Sequence, residues 1–478
     1  MSVKKRVKAI DRFIAGCKTD GIYDDLNAAC IMAGWDSLAG ALTPMKGAAP
    51  TASNITVYDR CTGAVFNGTS STIDLNRAVS SDDKDDCHYS AYHASFGATK
   101  TSVLLSHVNA TTTGAISLVA RGDQDPPYLN GRFRSTVGAA LYASSGAAGF
   151  VGASRSSADG ATYRWNDDSE YLEVASVSGS LGNYRIGQYY SNYSSGDVAF
   201  YSAGSATDLS LLKARVSTLM SDLRSIEESD FDADALTYIR AVEEADGAYL
   251  ETDVKVAINK LVAGLKFDSL WDSIGTSCLL CGPRTLAGAL VPLRGDAPTP
   301  YGFVSGDYSR TGGLGDPDAA SYLDSNRANN ADPQNDHHFA AYATSTQAGG
   351  NISFIGAVDG TYAKTIFRTA ANSWLLYDGR LTAPTSGVAN ASLVGLVGVT
   401  RTGSSAFSGR VAGVPAEKNE PSFSWGPLNI FVFGYNGSGT LTAPTSSRLA
   451  FYSIGTSLSL EDLDTAVTNL ITAIGEAL

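Results

Sequence analysis

Four sets of side chains in this sequence have types and spacings that chemistry can use. Cys278-Leu279-Leu280-Cys281 is spaced like half a zinc site or a redox pair. Zinc needs a second pair of ligands at similar spacing, and the other cysteines (17, 30, 61 and 87) do not form one. The leucines inside the motif mark an inward-facing stripe, so buried structural thiols are expected. His88 and His338 each follow an aspartate by two residues, Asp86 and Asp336. On a strand that spacing puts both side chains on one face, which leaves an Asp–His hydrogen bond open; the plainer expectation is a histidine satisfied inside the fold. Asp82-Asp83-Lys84-Asp85-Asp86 and Asp316-Pro317-Asp318 offer oxygens to Ca²⁺. They lack the alternating ligands and closing Glu of a calcium loop and read as solvated turns. Tyr184, Tyr189, Tyr190 and Tyr193, with Trp374 and Trp425, are candidate platforms for a glycan or protein partner, the tyrosine run being the exposed patch. No phosphate loop, nucleophile elbow or pair of catalytic carboxylates stands in a fitting context, so no catalytic residue, metal or cofactor is expected.

The elements that must position these groups are written twice. Leu38-Ala39-Gly40-Ala41-Leu42 returns as Leu286-Ala287-Gly288-Ala289-Leu290, an offset of 248 (286 − 38) that Cys30 and Cys278 share. Asp74-Leu75-Asn76-Arg77 matches Asp324-Ser325-Asn326-Arg327, and Ala199-Phe200-Tyr201-Ser202 matches Ala450-Phe451-Tyr452-Ser453. The period is the length of a domain rather than of a solenoid repeat. Charged residues are only 17% and Gly numbers 49, which suits strands and turns better than helical surfaces. A net charge of −13 argues against a phosphate-backbone partner, so no nucleic acid is expected. No run has signal-peptide or membrane-spanning character, and no membrane insertion is expected.

Apolar spacing of three and four reads residues 1–35 as helix, from Val7, Ile10, Phe13 and Ile14 through Leu26 and Cys30. Short runs punctuated by Gly, Ser, Asn and Asp follow, the pattern of a jelly-roll sandwich. The expected organisation is a helical segment (1–52), a sandwich with closing helix (53–220), a helical connector (221–250), a second helical segment (251–300) and a second sandwich with closing helix (301–478). Thr252 is expected to cap the helix that opens the second copy.

Phe66-Asn67-Gly68-Thr69 before Thr72-Ile73-Asp74-Leu75, and Arg448 to Ser453 before Ser457 to Leu463, resemble the early and closing strands of concanavalin A-like and laminin-G-like sandwiches. Cys278 to Leu290, Phe303 to Tyr308 and Tyr322 to Arg327 with Asn330 to Gln334 resemble a domain of tailed-bacteriophage structural proteins. The resemblance implies a mainly β chain of two tandem jelly-roll, concanavalin-like sandwiches, each flanked by amphipathic helices. It implies a non-enzymatic virion protein, assembled in the host cytoplasm as a homo-oligomer among other capsid or tail proteins. In that setting the basic start (Lys4, Lys5, Arg6, Lys8) docks against an acidic neighbour as a capsid-decoration or cement protein does. The alternative is a tail-fibre adhesin holding host surface glycans. Glu is scarce in both sandwiches, which argues against a glycosidase.

Overall fold

A computed structural model describes residues 3–96, 101–106, 115–135, 137–178, 182–189, 192–345, 347, 350–370, 373–381 and 394–478, with backbone alone at 3, 101–106, 189 and 192. The chain divides into two compact units, Met1–Asp230 and Phe231–Leu478.

In unit one, helix α1 (Val3–Thr19) leads into strand β1 (Leu26–Ile31), which pairs with β5 (Ser195–Gly204). On the other side of β5 lies β3 (Cys87–Phe96), then β4 (Phe150–Arg155), in an eight-stranded antiparallel sheet. A four-stranded and a three-stranded sheet, the latter holding β2 (Thr72–Ala78), form the second layer. Between the layers Tyr89, Val151 and Tyr201 pack on Ile116, Phe133 and Tyr184. On the outer face of the main sheet, Ala29, Ile31 and Phe200 meet Phe13 of α1 and Leu212 and Val216 of helix α2 (Leu209–Glu228). Strands covered on both faces carry small and apolar residues without strict alternation, as the sequence of β1 and β5 does.

Unit two repeats the plan. Helix α3 (Ala233–Asp246) precedes helix α4 (Thr252–Phe267), and β6 (Ile274–Leu279) follows. The main sheet then takes β8 (His337–Ser345), β11 (Gly395–Arg401) and β12 (Arg448–Gly455). The second sheet holds β7 (Tyr322–Ala328), β9 (Tyr362–Arg368) and β10 (Trp374–Arg380), and helix α5 (Leu460–Ala477) closes the unit. Strand register is conserved between copies: His88 lies opposite Gly204, and His338 opposite Gly455. The Asp-x-Asn-Arg match also has a cause. Asn76 and Asn326 both sit at positive φ, donate to the carbonyls of Ala49 and Ala297, and receive their own turn from Asp74 and Asp324. Arg77 and Arg327 then pair with Asp82 and Asp332.

Three expectations need correction. The helix read over residues 1–35 stops at Thr19, and Leu26 to Ile31 is a strand, as is Ile274 to Leu279. All residues of β1 except Asn27 are buried, and in so short a run a doubly covered strand and a buried helix look alike. The connector read over 221–250 is not a separate piece: its first residues finish α2, and α3 packs into unit two through Tyr238, Ile239 and Val242. Thr252 is the first residue of α4 and Glu251 occupies the cap position, its carboxylate held by Arg284 and Arg310.

Gly63 and Gly313 occupy the same turn at φ +95° and +85°, where an added Cβ would lie 2.2 Å from the carbonyl oxygens of Val198 and Leu449. Gly313→Ala is expected to cost unit two more than about 1 kcal/mol in denaturant unfolding. Gly306→Ala, with no neighbour within 4 Å, is the control and should leave stability unchanged.

Candidate functional site

The residues singled out for chemistry are mostly engaged in holding the sandwiches. His88 donates from Nδ1 to Ser205 O (2.5 Å), and its Nε2 accepts from Ser202 Oγ (2.9 Å). His338 does the same with Thr456 O (2.6 Å) and Ser453 Oγ (2.7 Å). Burial pulls both imidazoles down to about 4. Neither bonds its aspartate: Asp86 and Asp336 accept from the backbone N–H groups of Ala206 and Ser457. Cys278 and Cys281 are buried on and beside β6, not on a helix, and burial pushes both thiols up to about 12. The acidic loops are solvated as expected at Asp83, Asp86 and Asp318, but not at Asp82 and Asp316. Asp82 is buried and holds Arg77 and the Tyr184 hydroxyl, while Asp316 accepts from the N–H groups of Asp318, Ala320 and Ser321. Among the described residues no group of three or more His, Cys, Asp or Glu is placed for a metal ion. No helix there is long and apolar enough to cross a membrane.

The aromatic platforms are likewise corrected. Tyr184 is buried against Tyr89, Trp374 against Phe354, and Trp425 lies over the Lys364 ammonium at 5.5 Å with 7% of its surface exposed. Aromatic side chains that bury most apolar area go inward, which leaves these three no face for a sugar. Tyr193 is half-buried and accepts from Gln188; Tyr189 pairs with Asn192 through backbone; Tyr190 lies outside the described residues. Of the basic start, Arg6 is buried and donates to Gly34 O and Asp36, whereas Lys4, Lys5 and Lys8 are exposed.

Unit two presents a cavity of about 750 Å³ beside Trp271. Its floor and one wall come from α4 and the turn into β6, through Lys266, Ser269, Trp271 and Asp272; Leu293 and Arg294 add a second wall. The third wall is α3, through Asp234, Thr237 and Ala241. Lys266 and Arg294 stand over the Trp271 ring at 5.6 and 5.1 Å, and Arg294 also donates to Trp271 O. Lys266 pairs with Asp232 (2.7 Å) and Asp234 (2.5 Å), which hold its ammonium above the usual range. Arg294 reaches Asp272 at 3.3 Å, and Asp272 is 95% exposed. The ring faces are thus covered by cations, and the open chemistry is at the rim: carboxylates that accept, a guanidinium that donates and hydroxyls that do both. That set suits a hydroxyl-rich ligand. Among its described lining residues no nucleophile is held by a base.

Unit one carries the same framework without the α3 wall. Lys18 and Lys46 stand over the Tyr23 ring at 5.0 and 4.5 Å, and Lys46 donates to Tyr23 O. The offset of 248 (266 − 18) relates all three positions to Lys266, Trp271 and Arg294. The recurrence of cation, aromatic and cation is present in the sequence, where the apolar stripe around Trp271 masks it.

No family model matches the chain, and no curated protein matches it. Among solved structures it is similar to domains LG4–5 of the mouse laminin α1 chain, at 9% identity over 87% of this chain and 91% of that one, with a TM-score of 0.22. It is similar to the CBM40 of a Ruminococcus gnavus IT-sialidase, at 14% identity over 28% of this chain and 83% of that one, with a TM-score of 0.24. A leech intramolecular trans-sialidase is similar at 17% identity over 30% of this chain, with a TM-score of 0.22, and the match spans only 23% of that enzyme.

Proposed function

We propose that the chain is a non-enzymatic, homo-oligomeric protein of a bacteriophage particle, assembled in the host cytoplasm, whose second unit takes part of a host surface glycan in the cavity beside Trp271. The particle assignment is supported by the sequence blocks Cys278 to Leu290 and Tyr322 to Arg327. The binding assignment is carried by one observation: both units hold two cations over an aromatic ring, and in unit two α3 adds the wall that makes a cavity beside it. Asp232, Asp234 and Asp272 outnumber Lys266 and Arg294 around it. The excess of carboxylate favours neutral or amino sugars over acidic ones, with hydroxyls bridging Asp272 and Arg294.

Titration calorimetry with purified neutral host polysaccharide tests this. Asp272→Ala and Thr237→Trp, both at exposed positions, should weaken binding about tenfold or more without shifting the melting temperature. Binding that survives both substitutions would remove the cavity from the account. Display as a decoration or cement protein is the second reading, favoured by the exposed Lys4, Lys5 and Lys8 on α1. Antibody label spread evenly over the capsid supports it, and label confined to tail tips opposes it.

A further inference from the structure

The two units differ in what covers their first helix. In unit two, α3 lies antiparallel along α4: Glu243 pairs with Lys255 near the start of α4, and Asp232 and Asp234 pair with Lys266 near its end. Between these anchors Tyr238, Ile239 and Val242 pack in one cluster with Ile258, Val262 and Trp271. Lys255, Ile258 and Val262 are each 0% exposed.

The same positions in unit one are partly open to solvent. An offset of 248 (262 − 14) places Val7, Ile10, Ile14 and Lys18 of α1 where Lys255, Ile258, Val262 and Lys266 stand on α4. Val7 is 49% exposed, Lys18 is exposed, and Ile10, Ile14, Tyr23 and Met45 are only half-buried. Positions 7, 10, 14 and 18 form one stripe on a helix, apolar along its length and basic at its end. No carboxylate forms an ion pair with Lys18 or Lys46 among the described residues.

We infer that this stripe of α1 is a docking surface for a helix of another protein, and that α3 shows what the occupant is like. The partner is an amphipathic helix running antiparallel to α1, with acidic residues in its first turn to meet Lys18 and Lys46, and an aliphatic and aromatic stripe to cover Val7, Ile10 and Ile14. Carboxylates at a helix start meeting an ammonium are favourable twice over, through the pair and through the helix dipole. A second copy of this chain fits less well. Pairing two α1 faces would bring Lys4, Lys8 and Lys18 of both copies together, and the cost of like charges opposes it.

This inference goes beyond the glycan reading, because it concerns how the chain is held and does not use the cavity. The test uses the intact chain and a helix-stabilised peptide of its own residues 230–247 as the probe, followed by calorimetry. One peptide should bind per chain. Val7→Glu and Lys18→Glu, both at exposed positions, should each weaken it about tenfold or more. Reversing the peptide's Asp232 and Asp234 to lysine should do the same, while polysaccharide binding stays unchanged. Absence of saturable binding overturns the inference, as does peptide binding indifferent to both chain substitutions. Concentration-dependent dimerisation abolished by Val7→Glu also overturns it, since that would give the stripe to a second copy.

Discussion

Asp378→Asn is expected to destabilise unit two by about 3–5 kcal/mol, the cost of leaving buried charge without its partner. Asp378 and Arg401 are both 0% exposed; Arg401 Nε donates to the carboxylate at 2.6 Å, and His337 Nε2 donates to its other oxygen at 3.0 Å. Burial opposes the charge on Asp378, but the His337 hydrogen bond and the charges of Lys364 and Arg401 outweigh it and hold the carboxyl below its usual range. Lys364 lies directly opposite Asp378 across β9 and β10 and is itself buried, which pulls its ammonium down to about 8. Removing Asp378 leaves two cations facing each other in the interior. Lys364 can shed its proton, and without the Asp378 charge it does so below 8, so the penalty should shrink as pH rises towards 8 and stay level above it; Arg401 cannot. Among the described residues Arg155, the counterpart in unit one, donates to carbonyls, among them Phe133 O and Val174 O, and to no carboxylate. Three of the five tryptophans (Trp271, Trp374, Trp425) report unit two, so fluorescence-detected urea unfolding should show one transition moving early while the other stays. A loss below about 1 kcal/mol would show that the pair is not what stabilises this interior.

How much of this was legible beforehand follows from what kind of signal each feature leaves. The duplication and the sandwich class were readable because matching blocks and small, turn-rich composition are properties of the linear text. The Asp378 cluster was not, because it joins three strands whose residues lie 41 and 23 positions apart along the chain (378 − 337 and 401 − 378). Lone charged residues in strands read as solvent-facing until pairing is known. The aromatic candidates failed for the opposite reason. A tyrosine at a strand position carries the same letter whether it faces water or, as Tyr184 does, Tyr89 and Asp82. The cation pairs on Tyr23 and Trp271 lie between these cases: comparing the copies position by position exposes them, while reading each copy for periodicity hides them.

The two matched histidines should make acid the chain's weak condition well before its carboxylates titrate. Free histidine takes up its proton near 6.5, but burial makes His88 and His338 resist it until about 4, against the opposing pull of the carbonyl to which each Nδ1 donates. In the window between those values the unfolded chain binds more protons than the folded one, so stability rises with pH there and is lost as pH falls through it. A shift of that size is worth ~3 kcal/mol per histidine when the window has been crossed. Unit one carries a further buried histidine, His93, pulled down to about 3 by burial alone, so it should lose more than unit two. Hydrogen exchange followed by mass spectrometry at steps from pH 7 to 4 reads the units separately through their peptides. Protection in β3 and β5 should fall before protection in β8 and β12. Stability that stays flat from pH 6.5 to 4.5 in both units would mean that the histidines remain accessible to protons in the folded chain. In that case the paired imidazole–serine contacts would not be the sealed interior joints that their geometry requires.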